Sequence, residues 1–139
     1  MATPSARAKG LEATCHCGNI TIEVPHLPTE INECQCSVCR RWGAEWAYYN
    51  PKQVTIYVNK EPTRQYIWGD RELEFHFCAT CGCVSHWKAI AEDRDEMGVN
   101  SRLMDPGELR SVNRKKDFEQ LAIPLNVKDA KHADDKAVY

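Results

Sequence analysis

The clearest signal along the chain is alternation. Residues 20–24, ITIEV, set Ile20, Ile22 and Val24 against Thr21 and Glu23, the period of a strand with one buried face. Two β-rich runs, EWAYYN and QVTIYV, are separated by Asn50-Pro51, a pair that ends strands and starts turns. RQYIW and ELEFHF flank Gly69-Asp70-Arg71 and predict a hairpin, with Leu73, Phe75 and Phe77 on one face of its second arm. CVSHWKA and MGVNSRL add two strand candidates. Helical signal is sparse. Asp105, Pro106 and Glu108 match the N-cap, first and third positions of a capping box, and Gly107 keeps the expected helix short. The pattern predicts a mainly β domain of about seven short strands, with one or two short helices.

Length changes this picture little. A chain of 139 residues fits one domain and can bury a core without disulfides. The pattern places that domain at residues 11–112, after a flexible stretch 1–10. A charged extension, 113–139, follows and is expected to be partly mobile, with KDAKHADDKAVY as a tail. A net charge of −2 argues against a nucleic-acid partner, which calls for a basic excess. No apolar run is long enough for a membrane span, and MATPSARAKG has no apolar segment of the kind a secretory signal carries. The expected location is cytoplasmic.

Cysteine changes the picture most. The chain has eight, in three tight groups: Cys15 and Cys17; Cys34, Cys36 and Cys39; Cys78, Cys81 and Cys83. Scattered buried thiols would not cluster in this way, and disulfide frameworks belong to small secreted domains. Metal binding remains, with zinc the first choice for an all-thiolate set and iron–sulfur the lesser one. CATCG follows the strand ending at Phe77, where a Cys-x-x-Cys turn lets two sulfurs converge and Gly82 can take positive φ. CHCG, at the turn before Ile20, can supply two more sulfurs from a facing turn. Four thiolates close a tetrahedron, and a closed site is structural. That leaves CQCSVCRR with three cysteines. If Cys83 is an ordinary strand residue, the second site keeps one open position, as catalytic zinc does. If Cys83 completes it, both sites are closed. A register using Cys81 and Cys83 on the first site is the other possibility.

CHCG, CQCSVCRR and FCATCGC, in this order and at these separations, resemble the glutathione-dependent formaldehyde-activating enzyme (GFA) family, and VNSRLMDP is similar to the family's segment near its C-terminal end. The resemblance runs from about Leu11 to Asp105. It implies a small zinc-bound β-tent fold of short antiparallel strands, shared with Rab-exchange-factor-like zinc proteins and methionine sulfoxide reductase B. It implies two zinc ions per chain: a structural one on Cys15, Cys17, Cys78 and Cys81, and a catalytic one on Cys34, Cys36 and Cys39. It implies a carbon–sulfur lyase or synthase that joins glutathione and formaldehyde as S-hydroxymethylglutathione, or cleaves that adduct.

Three thiolates on a divalent ion leave a net negative charge. That blunts activation of water but suits an exogenous thiol as the fourth ligand, since zinc favours soft donors. The two carboxylates of glutathione call for cations, and Arg40, Arg41 and Arg102 are the candidates. Trp42 and Trp46 could wall a pocket. No side chain stands out as the general acid; His76 and His86 are the available histidines, each more simply read as structural. Two other classes fit the cysteines: a two-zinc interaction module without catalysis, and a methionine sulfoxide reductase-like redox enzyme using Cys83.

Overall fold

The structure, a computed structural model, describes residues 11–119. Residues 1–10 and the tail sequence KDAKHADDKAVY therefore lie outside the described residues. Ten strands and one helix follow in order: β1 Glu12–Thr14, β2 Ile20–Glu23, β3 Ile31–Cys34, α1 Cys39–Trp42, β4 Trp46–Tyr49, β5 Thr55–Val58, β6 Arg64–Tyr66, β7 Leu73–Phe77, β8 Val84–Ala89, β9 Met97–Asn100 and β10 Arg114–Asp117. The fold is mainly β, as the alternation predicts. No helix among the described residues is long and apolar enough to cross a membrane.

The strands form two sheets. A three-stranded sheet has the order β1-β2-β5, and a seven-stranded sheet runs β10-β3-β4-β9-β8-β7-β6. Pairing is antiparallel except at one edge, where β10 lies parallel to β3 with Asp117 opposite Cys34. Period two along β4 divides its side chains between two cores. Ala47 and Tyr49 join Ile20, Ile22, Ile31, Met97 and Val99 in the core shared with the small sheet. Trp46 joins Phe75, Val84, Trp87 and the three central cysteines in a second core on the other face. The expected hairpin forms between β6 and β7. Its connection contains Gly69 at φ 65° and Arg71 at φ 62°, left-handed positions that glycine takes without strain and arginine does not.

Two helix expectations change. Residues 106–111 form turns, not a helix. Asp105 does cap, but its Oδ1 accepts from Gly107 N at 2.9 Å, and the backbone bonds that follow join residues three apart. Glycine at the second helical position raises the cost of a helix too short to repay its nucleation. The helix that does form, α1, is a single turn over CRRW, closed by Gly43 at φ 70°. Three strands also lacked a sequence signal: β1, β3 and β10. The last carries RKKD, a charged stretch that becomes a strand by pairing with β3.

Candidate metal centres

The first cluster brings together Cys15, Cys17, Cys78 and Cys81, with one sulfur from each lying within 4.8 Å of all the others. Cys15 and Cys17 stand on the turn between β1 and β2; Cys78 and Cys81 stand on the turn between β7 and β8. The cluster therefore joins the small sheet to the large one. Cys15 Sγ is 3.7 Å from Cys17 Sγ, which is 3.6 Å from Cys78 Sγ. A tetrahedron with metal–sulfur bonds of about 2.3 Å has edges of about 3.8 Å, so the spacing suits one ion. Gly18, at φ 83°, and Gly82, at φ 80°, let the chain turn back beyond the second cysteine of each pair.

Backbone amides reinforce this cluster. Ile20 N donates to Cys15 Sγ at 3.2 Å, and Thr80 N and Cys81 N donate to Cys78 Sγ at 3.3 and 3.4 Å. Desolvation pushes the Cys81 thiol up. Hydrogen bonds from the backbone of Cys83 and Cys17 and from neighbouring thiols outweigh it and hold Cys81 down at about 5. Donors arranged around a sulfur in this way favour the thiolate that binds metal.

The second cluster is Cys34, Cys36 and Cys39, all buried, with sulfurs again within 4.8 Å of one another. Cys34 ends β3, Cys39 opens α1, and Cys36 lies on the loop between them. The single turn of α1 explains the spacing: Cys39 N donates to Cys36 Sγ at 3.4 Å, folding the third cysteine back onto the second. Trp46 Nε1 donates to Cys39 Sγ at 3.3 Å. Three sulfurs this close cannot all ionise unaided. Hydrogen bonds from the thiols of Cys34 and Cys39 pull Cys36 far down, while Cys34 and Cys39 are pushed up by that exchange of hydrogen bonds. A divalent cation is the species that lets all three ionise together, so the donor set fits a metal ion.

Cys83 stands apart from this second group. Its neighbours are Cys81 and Cys15, with a hydrogen bond from the backbone of His16. It packs beside the first cluster. The second cluster therefore has three protein sulfurs among the described residues, and both clusters could hold a metal ion.

The three sulfurs open onto a cleft of about 570 Å³. Trp46, Phe75 and Trp87 form its apolar wall, and Asn32, Tyr48 and Asp117 a polar one. Trp42 backs the wall by packing on Phe75 at 5.1 Å between ring centroids. Arg40, Arg41 and Arg102 do not line the cleft. Arg40 donates to Gln35 O at 3.2 Å, Arg41 to Ser37 O at 2.8 Å, and Arg102 pairs with Glu45 at 3.5 Å. The arginine on the cleft wall is Arg94, which lies 3.5 Å from Glu72.

His76 and His86 are also elsewhere. Their rings stack at 4.4 Å between centroids, on the β7 and β8 face opposite Phe75 and Trp87. His76 bonds Thr63 and Glu74, and His86 bonds Ser85. Burial depresses both, His86 to about 2, so His86 stays neutral and lacks the imidazolium proton that a general acid would give. Of the cleft residues that the sequence reading missed, Asn32 and Tyr48 carried a faint signal. Each stands two residues from a site residue, Cys34 or Trp46, and so on the same strand face. Asp117 and Arg94 carried none: strand pairing with β3 brings Asp117 there, and Arg94 reaches it from the loop between β8 and β9.

Fold and site together define a mainly β protein with two thiolate clusters able to hold metal. A sequence model of the glutathione-dependent formaldehyde-activating enzyme family matches residues 10–120, and the chain belongs to that family. A crystal structure of a Rhodobacter sphaeroides protein is similar: 32% sequence identity over 75% of this chain and 99% of that one, with a TM-score of 0.62.

Proposed function

We propose that this chain is a zinc-dependent carbon–sulfur lyase or synthase that forms and cleaves the adduct of glutathione and formaldehyde. The observation that carries the reading is the three-sulfur cluster at the floor of a cleft, with the eighth cysteine held away from it. Zinc on Cys34, Cys36 and Cys39 would offer a thiol a fourth position and hold it as the thiolate. The chain's own residues do the rest. Trp46 donates to Cys39 Sγ and fixes one corner of the ligand set. The aromatic wall of Trp46, Phe75 and Trp87 gives the bound adduct an apolar surface beside the three sulfurs. Arg94 is the cation on that wall for a glutathione carboxylate.

The four-sulfur cluster, with a second zinc, would act structurally by clamping the two sheets. Eight cysteines with no disulfide among them suit a reducing compartment such as the cytoplasm. A non-catalytic two-zinc module has less support, because Cys83 does not close the second site. A redox enzyme using Cys83 has less support as well, since Cys83 is outside the cleft.

The test is the rate of exchange between glutathione and its labelled formaldehyde adduct at equilibrium, followed by NMR. Zinc-loaded protein is expected to speed exchange, and Cys36→Ala to abolish the acceleration while keeping the fold. No acceleration at high protein concentration would remove this substrate pair.

A further inference from the structure

The reaction needs a group that gives a proton to the oxygen of the carbonyl, and neither histidine reaches the cleft. The polar wall supplies a different group. Asn32 Nδ2 donates to Tyr48 Oη at 2.6 Å and to Asp117 Oδ2 at 3.0 Å. Both amide hydrogens are thereby used, and neither partner is interchangeable. An ionised carboxylate only accepts, so Asp117 fixes which end of the amide faces it. A carboxyl group is ionised at neutral pH, and Asp117 also accepts from Glu119 N at 2.9 Å through its other oxygen. Tyr48 therefore accepts from Asn32 and cannot donate to it. Its own O–H is left free for another acceptor.

The cost of this arrangement is visible. Asn32 Oδ1 is buried and has no hydrogen-bond partner among the described residues, a state that destabilises the fold. Turning the amide over would set Oδ1 against the Asp117 carboxylate and leave Tyr48 to donate to Asn32. The observed orientation is the one that frees the phenol.

Position completes the case. Tyr48 follows Trp46 by two residues on β4, and Asn32 precedes Cys34 by two on β3, so all four share one sheet face. Cys34 is one of the three sulfurs and Trp46 packs against them, and Tyr48 lines the same cleft as all three cysteines. The phenol and the three sulfurs therefore face one cleft, which a thiol carrying a one-carbon unit can enter. The Tyr48 ring is fixed by an edge-on contact with Trp87, at 6.1 Å between centroids.

Resting on the thiol-adduct reading above, the geometry points to Tyr48 as the catalytic proton donor to the carbonyl oxygen, with Asn32 and Asp117 as the residues that position it. In the forward step the thiolate sulfur forms a bond to the carbonyl carbon. The π pair moves onto oxygen, and that oxygen takes the Tyr48 proton. Solvent returns a proton to the phenolate, replacing the one the thiol lost on binding. No electrons are gained or lost overall. The reverse step returns the hydroxyl proton to the phenolate as the carbon–sulfur bond breaks. Desolvation pushes the Tyr48 phenol up to about 12, so it holds its proton at neutral pH.

Two measurements on Tyr48→Phe test this. The variant keeps the ring and its packing on Trp87 and loses only the hydroxyl. Adduct exchange is expected to fall about 100-fold while glutathione affinity stays within twofold. Binding of S-formylglutathione, which carries an oxygen on the one-carbon unit, should weaken about tenfold by calorimetry. Binding of S-methylglutathione, which lacks that oxygen, should not change. Asp117→Ala frees the Asn32 amide to turn and capture the phenol. It should lower the exchange rate constant without altering glutathione affinity, a split that general loosening of the cleft would not give. Exchange within twofold of wild type in Tyr48→Phe, or equal binding of S-formylglutathione to both proteins, would overturn the assignment. A wild type that fails to accelerate exchange yet shows the Tyr48-dependent preference for S-formylglutathione would count against the reaction, not against Tyr48.

Discussion

The indole Nε1 of Trp46 donates a hydrogen bond to the sulfur of Cys39 at 3.3 Å. Trp46 is buried on β4 and Cys39 opens α1, so the contact ties the sheet to the loop that carries the three sulfurs. Donors to a ligating atom fix its orientation and tune its basicity. Losing one typically costs 10–100-fold in metal affinity. Trp46→Phe should therefore release metal from the three-sulfur site at a chelator concentration roughly tenfold or more lower, while the four-sulfur site is unaffected. Chelator competition followed by metal analysis reads this. Equal release from both proteins would mean that the N–H···S contact has no role.

The two clusters should respond differently to loss of a ligand. Cys78 belongs to the cluster that joins the two sheets, so Cys78→Ala removes a clamp between distant parts of the chain. Structural metal can contribute on the order of 10 kcal/mol, comparable with a whole domain's net stability. That variant should be unfolded or insoluble. Cys36→Ala should fold and melt cooperatively with one metal per chain. Circular dichroism with metal analysis distinguishes them, and equal damage from both substitutions would contradict separate structural and substrate-facing roles.

Gly98 and Trp87 are opposite one another on β9 and β8. A Cβ on residue 98 would collide with the indole of Trp87, a side chain that lines the cleft and packs on Tyr48. Gly98→Ala should cost about 1–3 kcal/mol by urea denaturation and also impair exchange, because Trp87 must leave its place. Unchanged stability would show that the indole can move freely.

Stability should decline in mild acid through His86. Its folded value lies near 2 against an ordinary 6.5, chiefly because burial disfavours the charged ring. As pH falls below about 6.5, the unfolded chain takes up a proton and the folded chain does not. The contribution is thus complete above that pH and is lost progressively below it, by up to about 1.4 kcal/mol per pH unit. Urea unfolding of wild type and His86→Gln at pH 7 and 5.5 checks this. The variant should be less stable at pH 7 and lose less between the two values; identical losses would remove His86 as the cause.

The sequence showed much of this arrangement, for identifiable reasons. The four-sulfur and three-sulfur groups were legible because metal ligands need short spacings and small turns, which Gly18 and Gly82 mark directly. β2 was legible from its period-two alternation, β4 and β5 from β-rich runs broken at Asn50-Pro51, β6 and β7 from the turn between them, and β8 and β9 as strand candidates. β3 and β10 were not, because INEC and RKKD carry no such signal and become strands through long-range pairing, β10 with β3 and β3 also with β4. That pairing delivers Asp117 to the cleft, so the residues organising Tyr48 could not be read locally. The arginines went the other way. Arg40 and Arg41 follow the third cysteine directly, but the turn of α1 aims them at carbonyls of their own loop. The expected helix after Asp105 failed because a cap is only a starting signal, and Gly107 did not support what should follow it.

The most direct test of the central claim is whether one metal site, and only one, accepts an external thiol. Protein loaded with cobalt in place of zinc should bind two ions per chain, one at each cluster. Added glutathione should shift the d–d absorption of one of them, and the shift should be absent in Cys36→Ala, which retains the four-sulfur site. No spectral change at saturating glutathione, or the same change in Cys36→Ala, would contradict a thiol-accepting centre on Cys34, Cys36 and Cys39.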